Sequence, residues 1–378
     1  MKPIKPTLQN LGWSPLFDAQ VADDERSLLP GRVAFESRGI YHVLSEAGNL
    51  LCELKGILRK GVKDRSVYPV VGDWVLVEAP NAKPGQSLEG GRGLIAKLLK
   101  RRNAITRREL ARGEGERKAG KEQVLAANVD MALLVTSLNE DFNIRRLERY
   151  LALALDSGAE PVFLLTKTDL VDDKGKEALE LVRGLKQDAK VMLLCAPKNK
   201  GVKELRLLLG PGVSAVLLGS SGVGKSTLVN ALSGDDIMEV AEIREKDGRG
   251  RHTTVGRHLM QLASGACLID SPGLRDLGLR EDTNVQDAFD DIAQLSSHCR
   301  FSDCQHGNEP GCAVTAAIAD GSLPADRYEN FRILLAEQNA AIKRSVLGAE
   351  RFQREKVKAQ SKGIKQYYKI VKGSKGRG

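Results

Sequence analysis

"VLLGSSGVGKSTLVNAL", Val216–Leu232, is the stretch on which the reading turns. An apolar run ends at Gly219, the next residues fit G-x-x-x-x-G-K-[ST], and a helix-forming stretch follows directly. Glycines let backbone N–H groups converge on phosphate oxygens, and the following helix turns its positive end toward the same anion. Gly219, Ser220, Ser221, Gly222, Val223, Gly224, Lys225, Ser226 and Thr227 are therefore expected to form a phosphate-binding loop. Lys225 would reach the outer phosphates and Ser226 would hold Mg²⁺. A chance glycine-rich turn would not bring strand, loop, Lys-Ser pair and helix into register.

Outward from the loop, apolar runs alternate with helical periodicity. "VDMALLVTSL" precedes the amphipathic "NIRRLERYLALALDSG", and "PVFLLTKTDL", "KGKEALELVRGL", "KVMLLCA" and "VKELRLLL" continue the alternation. Buried strands bounded by helices predict βαβ units and a parallel sheet over residues 124–280. The loop thus falls late in its own domain.

A phosphate loop alone does not separate ATP from GTP. "TKTD", Thr166, Lys167, Thr168 and Asp169, ends the run "PVFLL". A carboxylate at Asp169 can accept two hydrogen bonds from guanine that adenine cannot supply, while the stem of Lys167 lies along the base. The bland alternative is a polar strand-to-helix turn, but the carboxyl end of a buried strand is where α/β sheets bind ligands. "DSPG", Asp270 to Gly273, closes the run "ACLI": Asp270 would orient the magnesium shell and Gly273 would offer its N–H to the terminal phosphate. In the intervening "KDGRGRHTTVGRH", Thr253 or Thr254 would join that shell when the γ-phosphate is present.

"CRFSDCQHGNEPGC" spaces Cys299, Cys304, His306 and Cys312 as C-x₄-C-x-H-x₅-C. Three thiolates and one imidazole suit tetrahedral zinc, and four protein ligands leave no open position, so one structural zinc is expected in a helical domain over residues 281–349. Cys52, Cys195 and Cys267 stand singly in apolar surroundings and read as core.

Before the nucleotide domain, "RVAFES", "IYHVLS", "NLLCELKG", "DWVLVEA" and "GLIAKLL" are short β-rich runs parted by turns, with no convincing helix between them. Residues 31–106 read as a small all-β barrel or sandwich, the size of a five-stranded oligonucleotide-binding barrel. Residues 1–30 form an unpatterned N-terminal extension, and the charged, glycine-rich residues 107–123 read as a flexible linker or basic loop. Residues 350–378 form a basic tail in which Tyr367 and Tyr368 lie among lysines, as stacking on unpaired bases would require. With a net charge of +9 over 378 residues, an RNA partner is favoured. No signal sequence or membrane-spanning run is visible, which predicts a cytoplasmic protein without membrane contact, and a monomer is expected.

The order base-reading motif, phosphate loop, Thr-bearing switch, Asp-x-Pro-Gly resembles the circularly permuted GTPases. With its flanking domains the chain is similar to the RsgA/YjeQ family of small-ribosomal-subunit-dependent assembly GTPases, over about residues 31–345. The resemblance implies an N-terminal OB-type barrel, a circularly permuted P-loop GTPase domain and a C-terminal helical zinc domain. It implies GTP hydrolysis to GDP during late maturation of the small subunit, stimulated by the subunit and its rRNA and coupled to release. It implicates His252 as the water-positioning group, agrees on all four zinc ligands, and places the Ala196 backbone N–H, beside Cys195, at the guanine oxygen. This chain has Thr166 where the family usually has Asn, Cys195-Ala196 where Ser-Ala is usual, and Val255 in place of a third switch threonine. Leu274 follows the Asp-x-x-Gly motif where conventional small GTPases place a water-polarising glutamine, which predicts slow hydrolysis by the isolated protein. The rivals are a P-loop ATPase or nucleotide kinase and a non-enzymatic RNA-binding regulator.

Overall fold

Alternation of buried and exposed positions builds the first unit. In the computed structural model, which describes residues 7–59, 68–79, 87–108, 122–139, 142–169, 174–233, 257–270, 279–280, 283–307 and 309–347, a short helix α1 (Pro15–Asp18) precedes strands β1 (Leu29–Ser37), β2 (Ile40–Ser45) and β3 (Gly48–Leu54). A one-turn helix α2 (Gly56–Arg59), which the sequence did not announce, leads on to β4 (Trp74–Glu78) and β5 (Arg92–Leu98). The five strands close into a barrel in the order β1-β2-β3-β5-β4. Val33, Tyr41, Val43, Leu50, Cys52, Val75, Val77 and Ile95 fill it.

The N-terminal extension is part of the packing rather than an unpatterned leader. Leu11 and Phe17 are fully buried, and the Trp13 ring meets Trp74 edge-on at 4.8 Å. Beneath them lies Arg32 of β1, 1% exposed, whose guanidinium donates to the carbonyls of Leu11, Gly72 and Asn128 and to Ser214 Oγ. A buried guanidinium is tolerated only when its donors are matched, and here the acceptors come from four separate segments.

Strands β6 (Ala104–Arg108) and β7 (Glu122–Ala127) pair antiparallel. The segment expected as a linker from Arg107 to Gln123 therefore begins and ends in a β-ribbon, with Arg107 opposite Gln123 and Arg108 opposite Glu122. Charged residues hid the pairing because they carry no apolar alternation. Residues 109–121 lie outside the described residues.

The nucleotide-domain elements follow in chain order: β8 (Met131–Ser137), α3 (Ile144–Asp156), β9 (Glu160–Thr166), α4 (Lys174–Arg183), β10 (Lys190–Leu193), α5 (Val202–Leu208), β11 (Ser214–Leu218), α6 (Lys225–Ser233), β12 (His258–Gln261) and β13 (Cys267–Asp270). The sheet runs β10-β9-β8-β11-β13-β12, parallel except for the β12 edge. Alternate residues face two cores. Leu133, Val162, Leu164, Ala215 and Leu217 pack with α5 and α6, and Leu134, Phe163, Leu165, Val216 and Leu218 pack into the cluster that holds α3 and α4. Burial on both faces is the mark of a parallel sheet covered by helices. Because the chain winds outward from β8 to β10 and then returns to β11 on the other side of β8, the carboxyl ends of β8 and β11 form a topological switch point, where such sheets bind ligands.

Of the C-terminal helices α7 (Asp290–Ser297), α8 (Ala313–Ala319) and α9 (Ala325–Leu347), α9 packs onto α3 together with the turn Val285–Ala288, while α7 packs on α8 and on that turn. Glu148 of α3, 1% exposed, accepts from Arg327 at 2.7 Å and from Asn330, while Arg327 also pairs with Asp291 at 2.6 Å. Arg149 makes a two-pronged pair with Glu337 at 2.9 and 2.8 Å, and Glu337 also accepts from the backbone N–H of Leu279.

Candidate nucleotide site and metal centre

β11 carries the chain straight into the loop, and α6 begins at Lys225. At Gly219 the loop brushes the neighbouring strand so closely that a Cβ would sit 2.6 Å from Val135 O, which only glycine avoids. Gly222 and Gly224 have φ of +85° and +97°, the left-handed region that frees consecutive N–H groups to face one anion. The Lys225 ammonium folds onto the loop, donating to the carbonyls of Gly219 at 2.8 Å and Ser220 at 2.6 Å. Ser221, Ser226 and Thr227 are exposed at the mouth, whereas Ser220 and Val223 are buried beneath it.

The turn expected to read the base meets this loop. Thr166 Oγ1, at the end of β9, lies 2.5 Å from Val223 O and 3.1 Å from Thr136 O, sharing its single proton across the end of β8. Lys167 takes φ of +57°, an uncommon conformation for a residue with a side chain and one that marks functional turns. Thr168 donates through both its N–H and its hydroxyl to Leu194 O, joining the turn to the segment holding Cys195 and Ala196. Cys195 is buried and locked by paired backbone bonds with Lys200. Its thiol hydrogen-bonds to Asp169, which with the Asp169 backbone N–H and the charge of Lys198 holds that carboxyl below the usual range. Lys198 Nζ stands 3.8 Å from Asp169 Oδ2, a neighbour that no motif spacing announces. The Thr166–Asp169 turn is thus bonded to the phosphate loop on one side and to the segment leading into Cys195 and Ala196 on the other.

Asp270 ends β13 opposite Leu217 of β11, two residues short of the loop. With Ser226 it offers the hard oxygen donors that Mg²⁺ takes beside phosphate. The expected switch residues Thr253 and Thr254, the candidate water-positioning His252, and Gly273 lie outside the described residues, as do Val255, Leu274, Tyr367 and Tyr368.

The second cluster is compact. Ligand atoms of Cys299, Cys304, His306 and Cys312 all lie within 4.8 Å of one another. His306 Nδ1 faces the sulfurs, 3.6 Å from Cys299 and 3.4 Å from Cys312. Ser296 donates its hydroxyl proton to Ile292 O at 2.7 Å, so at 3.1 Å from His306 Nε2 it acts as acceptor. That fixes the proton on Nε2 and leaves Nδ1 as the electron-pair donor toward the sulfurs. Burial acts to raise the Cys312 thiol, yet hydrogen bonding, led by Thr315, brings it down to about 6. The donor set fits a soft-ligand tetrahedral site, and the Cys312 sulfur also accepts from Thr315 N–H at 3.4 Å, capping α8.

Three comparisons place these features among known proteins. The family model described as RsgA GTPase matches residues 98–280. A protein named small ribosomal subunit biogenesis GTPase RsgA from Methanosarcina acetivorans is 38% identical over 362 residues, 95% of this chain and 93% of the relative. The protein of the same name from Opitutus terrae is 42% identical over 347 residues, 89% and 91% of the two chains. In fold, the chain is similar to the crystal structure of YjeQ from Thermotoga maritima, with a TM-score of 0.58 and 24% identity over 82% of this chain and 98% of that one. It is also similar to YloQ, described as a circularly permuted GTPase, with a TM-score of 0.57 and 26% identity over 84% and 97%.

Proposed function

Since this chain belongs to the RsgA GTPase family, we propose that it binds GTP between Asp169 and Lys225 and hydrolyses it on the small ribosomal subunit late in that subunit's maturation, as a cytoplasmic factor. The observation that carries the reading is the hydrogen bond from Thr166 to Val223, which supports taking the Thr166–Asp169 turn and the phosphate loop as two walls of one site.

Each residue then has a task. Asp169, kept ionised, accepts from the guanine N1 and N2 groups, while the backbone at Ala196 meets the guanine oxygen. The loop N–H groups bind the phosphates, and Lys225 exchanges its loop carbonyls for the outer phosphates. Ser226 and Asp270, with Thr253 or Thr254, would hold Mg²⁺, which supplies charge neutralisation during phosphoryl transfer. Gly273 and His252 are proposed to contact the γ-phosphate and the attacking water. With Leu274 after the Asp-x-x-Gly motif, the water lacks a glutamine, so the isolated protein turns over slowly and the subunit completes the arrangement. The Cys299, Cys304, His306 and Cys312 set is proposed to hold one structural zinc that shapes the helical domain, while the barrel and the basic tail grip rRNA.

The test is release of phosphate from GTP with and without purified small subunits, with ATP as control. Strong stimulation by the subunit, specific to GTP, is expected. Equal turnover of ATP, or no response to the subunit, would overturn the reading.

A further inference from the structure

β12 is the edge of the central sheet, four residues long, and its far side faces the barrel. Leu259 and Met260 anchor its middle in the two cores, and next to its end at His258 the Arg257 guanidinium donates to Val124 O at 3.5 Å. That end matters, because His258 is the direct ladder partner of Asp270. Directly opposed residues of an antiparallel pair share a face and sit about 4.5–5.5 Å apart at Cβ.

The barrel reaches across to this point. The pairing of β1 with β2 shifts register between Val33 and Phe35, a bulge at Ala34 that places Phe35 opposite His42. Bulges re-aim side chains at sheet edges. Here the Phe35 ring stacks on His258, with centroids 4.1 Å apart and planes 7° from parallel, while His42 braces it edge-on at 5.5 Å.

We propose that Phe35 is a positioning residue for the nucleotide site: by stacking on His258 it fixes the strand end that flanks Asp270, so the barrel's seating sets the magnesium-binding carboxylate. β13 is held by the rigid β11 on one side and by β12 on the other. Loosening the stack frees the second support while leaving in place the base-reading turn, which lies beyond β8, and the phosphate loop, which β11 itself carries. The barrel is thereby coupled to the metal-dependent part of nucleotide binding. The inference rests on the assignment of Asp270 to Mg²⁺ made above.

The experiment uses the full chain and a fluorescent, non-hydrolysable GTP analogue, titrated with Mg²⁺ and, separately, in EDTA. An offset stack is worth enough that Phe35→Ala should raise the Mg²⁺ concentration at half-effect by roughly two- to twelve-fold. Affinity in EDTA should stay unchanged, and Phe35→Tyr should restore the Mg²⁺ response. Phe35→Leu, which keeps apolar bulk without a ring, should behave as Phe35→Ala and guards against a general folding loss. In a double-mutant cycle, His258→Ala should add little to Phe35→Ala. An unchanged Mg²⁺ response, an equal loss in EDTA, or fully additive effects would overturn the proposal. Failure of the underlying reading has a different signature, retention of GTP binding by Lys225→Ala.

Discussion

The Thr166 hydroxyl lies 2.5 Å from the carbonyl oxygen of Val223, so the turn proposed to read the base is hydrogen-bonded to the loop proposed to hold the phosphates across 57 residues of chain. A side-chain amide has more reach and more donors than a hydroxyl, yet here the hydroxyl spans the gap because β9 and β11 flank the same strand, β8. Removing the hydroxyl leaves a buried carbonyl unpaired, a loss of about 1–3 kcal/mol. Thr166→Ala should therefore weaken GTP and GDP alike by roughly five- to hundred-fold, whereas Thr166→Asn should keep affinity close to that of the parent. Titration of a fluorescent guanine nucleotide reads both; a tighter-binding Thr166→Ala protein would deny the bond its role.

In the proposed function, Asp169 sets which base is accepted. Its carboxyl is held below the ordinary aspartate range by the Cys195 thiol, its own backbone N–H and Lys198. The sign follows: a depressed carboxylate keeps its charge above its ordinary pKa and loses it only as pH falls through the lowered value. Guanine affinity should stay level from pH 8 down through pH 5. Asp169→Asn should cost GTP binding at least about a hundred-fold and improve xanthosine triphosphate. A variant that still prefers guanine would remove the carboxylate from base reading.

The Lys225 ammonium is half-buried where it donates to the loop carbonyls of Gly219 and Ser220, so water can take its place there and truncating it should leave the fold in place. Its ammonium offsets phosphate charge when the nucleotide is present. Lys225→Ala should therefore lose GTP affinity by about ten- to a hundred-fold, the range of a charge-assisted hydrogen bond, at an unchanged melting temperature. Calorimetry on the apo protein and binding assays together separate the two effects.

What the sequence made legible was contiguous or periodic. The phosphate loop is readable because strand, glycines and helix are adjacent in the chain, the Cys/His cluster because its four side chains fall within fourteen residues, and the barrel because its strands alternate. What escaped was made by contacts between distant segments. Arg32 reads as an exposed strand residue, yet it is buried where the N-terminal extension, the barrel, Asn128 and Ser214 converge. Leu11, Trp13 and Phe17 are three scattered apolar residues with no period, and their burial depends on two domains being present. His258 and Lys198 carried no signal at all, since each gains meaning only from Phe35 or Asp169 on another element.

The Cys312 sulfur both belongs to the Cys/His cluster proposed to hold zinc and caps α8 through Thr315. Zinc should copurify at one ion per chain. Chelation should lower the thermal midpoint and unravel α7 to α9 before the central sheet, because thiolates brought together without a cation repel or must stay protonated. Cys312→Ser should show reduced zinc content with the same early loss. Full zinc binding by Cys312→Ser would exclude that sulfur as a ligand.

The helical domain's grip on α3 rests on Glu148, which lies 1% exposed among Arg327, Asn330 and the neighbouring Asp291. Burial raises its pKa, and Arg327 opposes that rise by charge and hydrogen bonding. Arg327→Met keeps the volume and removes the countercharge, leaving a buried carboxylate whose stranding costs about 3–5 kcal/mol. The pH dependence then has a definite sign. A carboxyl with a raised folded pKa contributes stability that is present below its unfolded value near 4.5 and is lost as pH rises through the folded value. Without Arg327 that folded value rises further, so the deficit of Arg327→Met should be largest at neutral pH and shrink on acidification toward pH 5 as Glu148 takes up a proton. Urea unfolding at pH 7.5 and pH 5 measures it, and Arg327→Met combined with Glu148→Gln should recover much of the neutral-pH loss. A deficit that is the same at both pH values would show that Arg327 acts by packing against the Phe289 ring, 4.8 Å away, rather than by charge.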